Sequence, residues 1–334
     1  MSSTRSLIHP FAIGGVPLTS NLILAPMAGV TDGPFRFLCQ GLGVGLTVSE
    51  LASSRAILRG NRKTIEMLAF QAEIRPFAAQ IFGADPETMA EAARRVEALG
   101  VADMIDINMG CPVAKVVKTG AGAALSKTPE LASRIIRAVR NAVRLPVTVK
   151  FRLGWTDNTI NVREFTRMAV DSGAAAICVH ARTRQAMYSG AAQWHLLEGL
   201  QSLCGDIPFI ANGDLTTGDD LARVHEISGC SAFMIGRGAL GRPWIFSELV
   251  QNKPSPGSDE RYQIFREHLI EMLMEHGHKG VPLFRVHLFS YLKGGANAAH
   301  LRKHLAEERD PGRVLELGRA FFQGQPLPVP SEAA

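Results

Sequence analysis

Short hydrophobic runs alternate with amphipathic stretches through most of the chain. The runs are rich in Val, Ile, Leu, Ala and Phe, as is typical of parallel strands that are buried on both faces. We predict eight strands, at residues 22–25, 46–49, 77–82, 104–107, 147–151, 176–179, 208–211 and 232–235. Helical spacing separates most of them, at residues 33–41, 86–99, 129–143, 162–171, 194–203 and 218–227. This alternation predicts an α/β fold, a (β/α)8 TIM barrel.

A doubly wound parallel sheet is the alternative architecture. That fold places a glycine-rich, phosphate-binding turn after its first strand. Here the first strand is followed by Pro26-Met27-Ala28-Gly29, which contains a single glycine. The barrel is therefore the favoured prediction.

The C-terminal part of the chain has a different composition. Residues 251–258 are polar and proline-rich, and they predict a linker after a barrel that occupies residues 1–250. Amphipathic spacing at residues 261–276, 282–293, 297–306 and 311–322 predicts a small all-helical domain over residues 259–323. Residues 324–334 are predicted to be a disordered tail.

Composition narrows the compartment and the class of partner. The chain of 334 residues is 46% hydrophobic, and no apolar run is long enough to cross a membrane. The N-terminus lacks signal-peptide features, so we expect a cytoplasmic, monomeric protein that does not contact a membrane. The 5 cysteines include no Cys-x-x-Cys pair, which argues against a disulfide framework and against a metal site. A net charge of +5 is compatible with an anionic partner.

Polar residues recur where the predicted strands end. The active site of a barrel is built at the carboxyl ends of its strands, so these residues should meet at one mouth. They are Gln80, Asn108, Lys150, Arg152, His180, Arg182, Arg184, Asn212, Asp214 and Arg237. Taken singly, each has a structural alternative, such as a core amide, a rim charge, a core histidine or a turn. Their shared position favours a functional site, because unrelated polar residues would be spread over both ends of the barrel.

Two glycine-bearing turns indicate a phosphate site. Asn212-Gly213-Asp214 follows the seventh strand, and Gly236-Arg237-Gly238 follows the eighth. Loops at these positions commonly bind phosphate, since glycine lets backbone N–H groups approach and an arginine adds charge. We therefore predict a phosphorylated cofactor or substrate. Lys150, His180 and Gln80 are suited to face a planar polar ring such as a flavin.

Cys111 differs from the other cysteines. Cys39 and Cys178 lie in or next to apolar runs and are typical core residues. Cys111 lies between a glycine and a proline just beyond the fourth strand. Local sequence leaves two alternatives, a buried filler and a chemical group, and the position at the predicted mouth favours the second. Asp106, inside the same strand, is predicted to be structural and paired to a neighbouring strand.

Six motifs occur in order along the chain. They are Ala-Pro-Met-Ala-Gly-Val-Thr-Asp at 25–32, Asn-Met-Gly-Cys-Pro at 108–112, Val-Lys-Phe-Arg-Leu-Gly-Trp at 149–155, His-Ala-Arg-Thr-Arg at 180–184, Asn-Gly-Asp at 212–214 and Gly-Arg-Gly at 236–238. Together they resemble the bacterial tRNA-dihydrouridine synthases, and the B subfamily is the most similar. The resemblance covers about residues 10–250 and extends more weakly to about residue 305.

The resemblance implies an FMN-binding barrel followed by a helical tRNA-binding domain. It implies that NADPH reduces the FMN and that a hydride passes from FMN N5 to C6 of a uracil in the tRNA D-loop. It also implies that Cys111 donates the proton to C5, which gives 5,6-dihydrouridine, and that Asn108 lies near the uracil. The residues that it assigns to FMN binding are Pro26, Met27, Ala28, Gln80, Lys150, His180, Asn212, Gly213, Asp214, Gly236 and Arg237.

A basic stretch lies in the predicted helical domain. Residues 279–304 contain no Asp or Glu, which fits either a solvated helical face or a surface that binds RNA phosphates. The chain departs from the family pattern at Ala181, where glycine is usual, and within residues 285–296. The tRNA contacts that we predict are Arg285, His287 and Lys293 in this stretch, with Arg152, Arg182 and Arg184 on the barrel rim.

Two other functions remain open at this point. One is a flavin barrel that reduces a free pyrimidine or another activated C=C bond, although such a substrate needs no second basic domain. The other is a tRNA-binding protein with secondary redox activity, such as a folding chaperone. Deleting the gene for such a chaperone would leave every dihydrouridine of tRNA in place, which distinguishes it from the enzyme.

Overall fold

Eight parallel strands close into a barrel, and helices surround it. The structure is a computed structural model and describes residues 7–70, 75–295 and 297–326. The strands are β1 (Phe11–Ile13), β2 (Val16–Leu18), β3 (Leu22–Leu24), β4 (Leu46–Val48), β5 (Ala52–Ser53), β6 (Phe77–Phe82), β7 (Met104–Met109), β8 (Val147–Arg152), β9 (Ala176–His180), β10 (Phe209–Asn212) and β11 (Ala232–Ile235). The α-helices are α1 (Gly33–Gly41), α2 (Ser54–Leu58), α3 (Arg62–Leu68), α4 (Pro86–Leu99), α5 (Ala114–Val117), α6 (Pro129–Ala142), α7 (Val162–Asp171), α8 (Leu200–Cys204), α9 (Gly218–Ser228), α10 (Ile245–Gln251), α11 (Ser258–His276), α12 (Gly280–Tyr291), α13 (Ala298–Leu305) and α14 (Pro311–Phe322).

The strand order confirms the predicted barrel. The strands run β4-β3-β11-β10-β9-β8-β7-β6, and β4 also pairs with β6, which closes the sheet. All pairings within this ring are parallel, and the short β5 lies beside β6 as an addition. A doubly wound sheet would leave two open edges, so that alternative is excluded.

Alternation along the strands sorts side chains between the barrel interior and the helices. On β7, Ile105 and Ile107 pack in the large core between strands and helices, whereas Met104 belongs to the interior cluster. The interior is apolar toward the amino ends of the strands, where Ile13 and Leu18 from the β1–β2 hairpin join the same cluster. Polar interior residues begin at the layer of Asp106 and Thr148 and continue to the carboxyl ends of the strands. The prediction of strands missed this hairpin, in which each three-residue strand has a single buried residue.

Local capping explains where several helices begin and end. The Asp85 carboxylate accepts a hydrogen bond from the Thr88 N–H at 2.8 Å, and Pro86 occupies the first turn of α4, as the sequence predicts. The prediction of one continuous helix at residues 194–203 is wrong. It consists of a 3-10 turn at Trp194–Leu197 and the separate helix α8, because Gly199 between them has φ of +67°.

The four C-terminal helices α11–α14 share one core that also includes the first barrel helix. Leu38 of α1 and Trp244 pack with Phe265, Phe284 and neighbouring side chains of the helical region. We call the contact of α1 with α11 and α12 the seam. The helical C-terminal region confirms the predicted fold class.

The predicted domain limits stay predictions. Helix α10 reaches Gln251 and α11 begins at Ser258, so irregular backbone in the predicted linker is confined to residues 252–257. Of the predicted tail, residues 327–334 lie outside the described residues. Among the described helices, none combines the length and the apolar character that a membrane crossing requires.

Candidate active site

A cavity of about 510 Å³ opens at the carboxyl ends of the strands. This volume lies within the range of small-molecule sites. All the residues that the resemblance assigns to FMN line it, namely Pro26, Met27, Ala28, Gln80, Lys150, His180, Asn212, Gly213, Asp214, Gly236 and Arg237. Cys111, Asn108, Arg152 and Lys293 line it too. The structure thus brings these side chains together, and their individual roles stay predictions.

A chain of hydrogen bonds runs from Asp106 to the cysteine loop. Thr148 Oγ1 and Gln80 Nε2 donate to the two carboxylate oxygens of Asp106, at 2.5 and 2.7 Å. Asn108 Nδ2 donates to Gln80 Oε1 at 2.8 Å. Asn108 Oδ1 in turn accepts from the backbone N–H groups of residues 110 and 111, at 3.2 and 2.9 Å. We call this chain the amide relay. The predicted structural pairing of Asp106 to neighbouring strands is confirmed.

Register explains why these side chains meet. Gln80 on β6 lies opposite Asp106 on β7, and Asp106 lies opposite Thr148 on β8. Because alternate residues of a strand face the same side, Asn108 follows Asp106 into the barrel interior one layer nearer the mouth. Burial raises the pKa of the Asp106 carboxyl, and the bonds from Thr148 and Gln80 oppose that rise.

Backbone contacts on both sides hold Cys111. Its N–H donates to the Asn108 side chain, and its carbonyl accepts from the Ala123 N–H at 3.1 Å. Gly122 has φ of +60°, and a Cβ there would lie 2.8 Å from the Cys111 carbonyl oxygen, so glycine is required for this approach. Burial raises the pKa of the half-buried Cys111 thiol, while a backbone contact from Val113 and the charge of Arg152 act against it. The thiol therefore holds its proton at neutral pH.

Lys150 and His180 supply further polar groups to the cavity wall. Lys150 Nζ donates to Asn212 Oδ1 at 2.8 Å, and Asn212 Nδ2 donates to the Met234 carbonyl at 2.7 Å. Burial lowers the pKa of Lys150, and the Arg152 charge lowers it further. Burial likewise lowers the pKa of His180 well below its usual value, helped by Lys150 and the neighbouring arginines. His180 is therefore a neutral imidazole.

Asp214 lies between two arginines at the mouth. Arg182 Nη2 contacts Asp214 Oδ2 at 2.5 Å, and Arg237 Nη2 contacts Asp214 Oδ1 at 2.9 Å. Burial alone would raise the pKa of Asp214, but the hydrogen bond from Arg182 and the two positive charges bring it below its usual value. Arg237 is 52% exposed along its side chain, and its role in phosphate binding stays a prediction.

Two predicted tRNA contacts are buried in the structure, and their role in tRNA binding stays a prediction. Arg182 is 2% exposed and its guanidinium is occupied by Asp214 and the carbonyls of residues 189 and 190. His287 is 0% exposed and lies in the seam against Phe35, with the ring centroids 4.7 Å apart. Neither side chain can reach a phosphate at the surface. Lys293 is exposed at the cavity and keeps its predicted role.

The remaining predicted tRNA contacts have partners within the protein. Arg152 donates to the carbonyls of residues 110, 183 and 187, and it also lines the cavity. Arg184 stacks on Trp155 with its guanidinium carbon 4.5 Å from the ring centroid, and Arg285 donates to the Glu308 carbonyl. Contacts from these three arginines to tRNA stay predictions.

Tyr188 is a cavity residue that the sequence analysis missed. It is 52% exposed and lines the mouth, and the guanidinium carbons of Arg152 and Arg237 lie 5.3 and 5.5 Å from its ring centroid. Cation–π contacts of this kind stabilise the position of an aromatic ring by about 0.5–1 kcal/mol at exposed sites. An aromatic residue in an otherwise polar loop after the sixth barrel strand is the signal that could have found it.

Comparison with families places the site in context. A family model described as "Dihydrouridine synthase (Dus)" matches residues 23–324. This range includes every barrel strand except the first residue of β3, and it extends through α14.

Individual relatives give the same result. A protein of Rickettsia conorii named "Probable tRNA-dihydrouridine synthase" is 40% identical over 318 residues, which cover 93% of this chain and 96% of that protein. The "tRNA-dihydrouridine synthase B" of Pseudomonas aeruginosa is 39% identical over 317 residues, 93% of this chain and 95% of that one. Among solved structures, histamine dehydrogenase from Rhizobium sp. 4-9 aligns with a TM-score of 0.59 at 14% identity, covering 80% of this chain and 51% of that chain. That distant likeness supports the fold alone.

Proposed function

The chain belongs to the dihydrouridine synthase family, and from this premise we propose that it reduces the C5=C6 bond of D-loop uridines in tRNA to 5,6-dihydrouridine. The family prediction drawn from the six sequence motifs is thereby confirmed, and relatives named as B-type enzymes are among its matches. The single observation that carries the proposed chemistry is the placement of a protonated thiol, Cys111, on the same cavity as Lys150 and His180.

The residues of the cavity fit FMN. A Cβ on Gly213, whose φ is +115°, would lie 2.9 Å from the His180 ring, so glycine is required where this cavity-lining turn packs against His180. Gly236 and Arg237 lie across the same mouth, and they would bind the phosphate through backbone N–H groups and the guanidinium. Lys150, His180 and Gln80 would contact the polar edge of the ring system, and Pro26, Met27 and Ala28 its face. Bound FMN, reduced by NADPH, would supply the hydride that uracil C6 requires.

The protein itself contributes the proton and holds the residue that donates it in place. Hydride arrival at C6 leaves negative charge across C5 and the C4 carbonyl, so a proton is needed at C5. We assign Cys111 Sγ–H as its source, because a general acid must be protonated at working pH. Asn108 holds the cysteine loop by its side-chain oxygen, and it lies on the cavity wall where the uracil must enter. His180 is neutral, so it cannot serve as an imidazolium acid in place of Cys111.

The substrate base must leave its stack to reach this cavity. Lys293 follows α12 and lines the cavity, so it is suited to bind a phosphate next to the extruded nucleotide. Residues 279–304 carry basic side chains and no Asp or Glu. Such a stretch suits the phosphates of folded RNA, whereas a free pyrimidine has no phosphate for it to bind. We place this reaction in the cytoplasm.

The test uses the purified full-length protein and unmodified tRNA. We expect bound FMN, detected by absorbance and by its release on denaturation, and we expect NADPH-dependent dihydrouridine in tRNA with no reduction of free uracil or uridine. Dihydrouridine mapping of tRNA from a deletion strain should lose at least one position. Reduction of free uracil at a comparable rate would overturn the tRNA assignment, and a protein unable to bind FMN would overturn the chemistry.

A further inference from the structure

The seam contains a buried cluster that the proposed reaction does not use. Asp32 precedes α1, His268 lies on α11 and His287 on α12. Each offers one ligand atom, and these three atoms lie within 4.8 Å of one another. Asp32 Oδ2 lies 4.0 Å from His287 Nε2. Both histidines are 0% exposed. Because the three residues come from distant parts of the chain, no short-range spacing could have predicted this cluster.

Three of the four imidazole nitrogens of the cluster have no hydrogen-bond partner. His268 Nδ1 meets the Tyr291 hydroxyl at 3.1 Å, which leaves Nε2 unpaired. Neither ring nitrogen of His287 makes a hydrogen bond with acceptable distance and angle, although a contact with the Val30 backbone acts to raise the His287 pKa. Among the described residues, these two histidines supply three of the nine buried side-chain atoms without a partner. An unpaired buried polar atom costs about 1–3 kcal/mol, so this concentration points to a missing ligand.

The charges around the cluster favour a cation. Three acidic side chains, Asp32, Glu50 and Glu275, and one basic side chain, Arg36, act on one another there, and burial raises the pKa of Asp32 to about 7. Neutral imidazole and carboxylate are the forms in which these side chains bind metal.

We propose that Asp32, His268 and His287 bind a zinc ion in the seam. Two imidazoles and one carboxylate form a known zinc ligand set, with a water molecule as the fourth ligand. Zinc–ligand distances of about 2.0–2.2 Å require the three ligand atoms to draw closer together than they stand. Asp32 Oδ1 already accepts the Phe35 N–H at 2.9 Å, and Tyr291 orients His268, so the outer contacts that such ligands need are in place.

Such an ion would join the barrel to the helical region. Asp32 caps α1 on the barrel side, and the two histidines belong to α11 and α12 on the other. Helix α12 leads directly to Lys293 at the cavity mouth, so a bound ion would fix the helix that carries this residue. An ion that binds only the folded state also raises the free energy of unfolding.

The experiment measures metal in the full-length protein, purified without a histidine tag. We expect one equivalent of zinc per chain by mass spectrometry. After chelation, adding zinc should raise the Tm, and adding Co²⁺ should give the visible absorption of a tetrahedral site. Asp32→Asn keeps a residue that caps helices well but supplies a poor ligand, and His287→Gln removes a ligand with little loss of volume. Both variants should lose the metal and the Tm response.

A second histidine pair provides the matched control. His300 and His304 on α13 lie with their Nε2 atoms 3.2 Å apart, and they could bind zinc adventitiously. The variant H300Q/H304Q should keep the full equivalent. The proposal fails if wild-type protein neither carries zinc nor binds it after chelation, or if zinc stays in folded D32N and H287Q. If those variants do not fold, the zinc content of the wild type and of H300Q/H304Q decides the question. These zinc measurements do not depend on dihydrouridine formation, so they test the zinc site separately from the proposed function.

Discussion

The cavity mouth and the seam both gather buried polar side chains, but only the mouth satisfies them. At the mouth, Gln80, Asn108 and Asp106 exchange hydrogen bonds in one continuous relay. In the seam, three nitrogens of His268 and His287 have no partner. A satisfied network fixes geometry before a substrate arrives, whereas an unsatisfied cluster gains its order from a ligand. We therefore interpret the mouth as a preorganised reaction site and the seam as a site that a metal ion would order.

The largest expected effect tests whether the mouth is chemical as well as ordered. Cys111→Ala should keep bound FMN and NADPH oxidation but lower dihydrouridine formation by about 10²–10⁴-fold, the usual contribution of a general acid. The measurement is the product in tRNA per NADPH consumed. Product formation at the wild-type rate would show that the proton comes from elsewhere.

The next effect tests the amide relay. The Asp106 carboxylate accepts at both oxygens and thereby orients the Gln80 amide. Gln80 in turn orients Asn108, whose side-chain oxygen accepts from the Cys111 N–H. Asp106→Leu leaves Gln80 Nε2 unpaired at a cost of about 1–3 kcal/mol. We expect kcat to fall by about 10–100-fold with little change in KM for tRNA, at 1.4 kcal/mol per factor of ten.

A conservative series separates positioning from packing at Asp106. In Asp106→Asn the amide oxygen can still accept from Gln80 if the Thr148 hydroxyl turns to accept from the amide nitrogen, so most activity should return. Adding Thr148→Val removes that option, and the double variant should lose activity like D106L. Equal kcat in D106N and D106N/T148V, with matched Tm values, would refute the relay.

Both regions show what the sequence could and could not predict. The eight barrel strands were predictable because buried parallel strands are hydrophobic runs, and the convergence at the mouth followed from parallel strands ending on one side. The amide relay needed the register of β6, β7 and β8, which the sequence does not specify. The burial of His287 and Arg182 depended on α1 and Asp214, which are distant in sequence. A basic residue in a basic stretch looks exposed until its packing partner is known.

The third prediction uses pH to sharpen the role of Cys111. A general acid works while protonated, so activity is present below its pKa and lost as pH rises through it. Burial raises the thiol pKa above its ordinary value of 9.0. Dihydrouridine formation should therefore stay level through neutral pH and fall only on the alkaline side of that value. A decline that begins near pH 7 would contradict the assignment.

A control assigns that alkaline limb to the thiol. Burial and the charge of Arg152 also lower the pKa of Lys150, so the loss of its proton is a second candidate cause of a fall in activity as pH rises. The residual activity of Cys111→Ala should lack the limb if Cys111 causes it and should keep it if Lys150 does. The two groups face the same cavity, so this comparison is needed before the profile is interpreted.

The smallest effect distinguishes the mouth from the seam in tRNA binding. Lys293 is exposed at the cavity, whereas His287 is enclosed in the seam, although both come from one basic stretch. Each phosphate contact adds about one unit to the slope of log K against log salt, so Lys293→Ala should lower that slope by ~1. His287→Gln should leave the slope unchanged, because a side chain without solvent access releases no counterion. A slope lowered equally by both substitutions would mean that the helical region opens at the seam when tRNA binds, and the division between an ordered mouth and a closed seam would then hold only for the free protein.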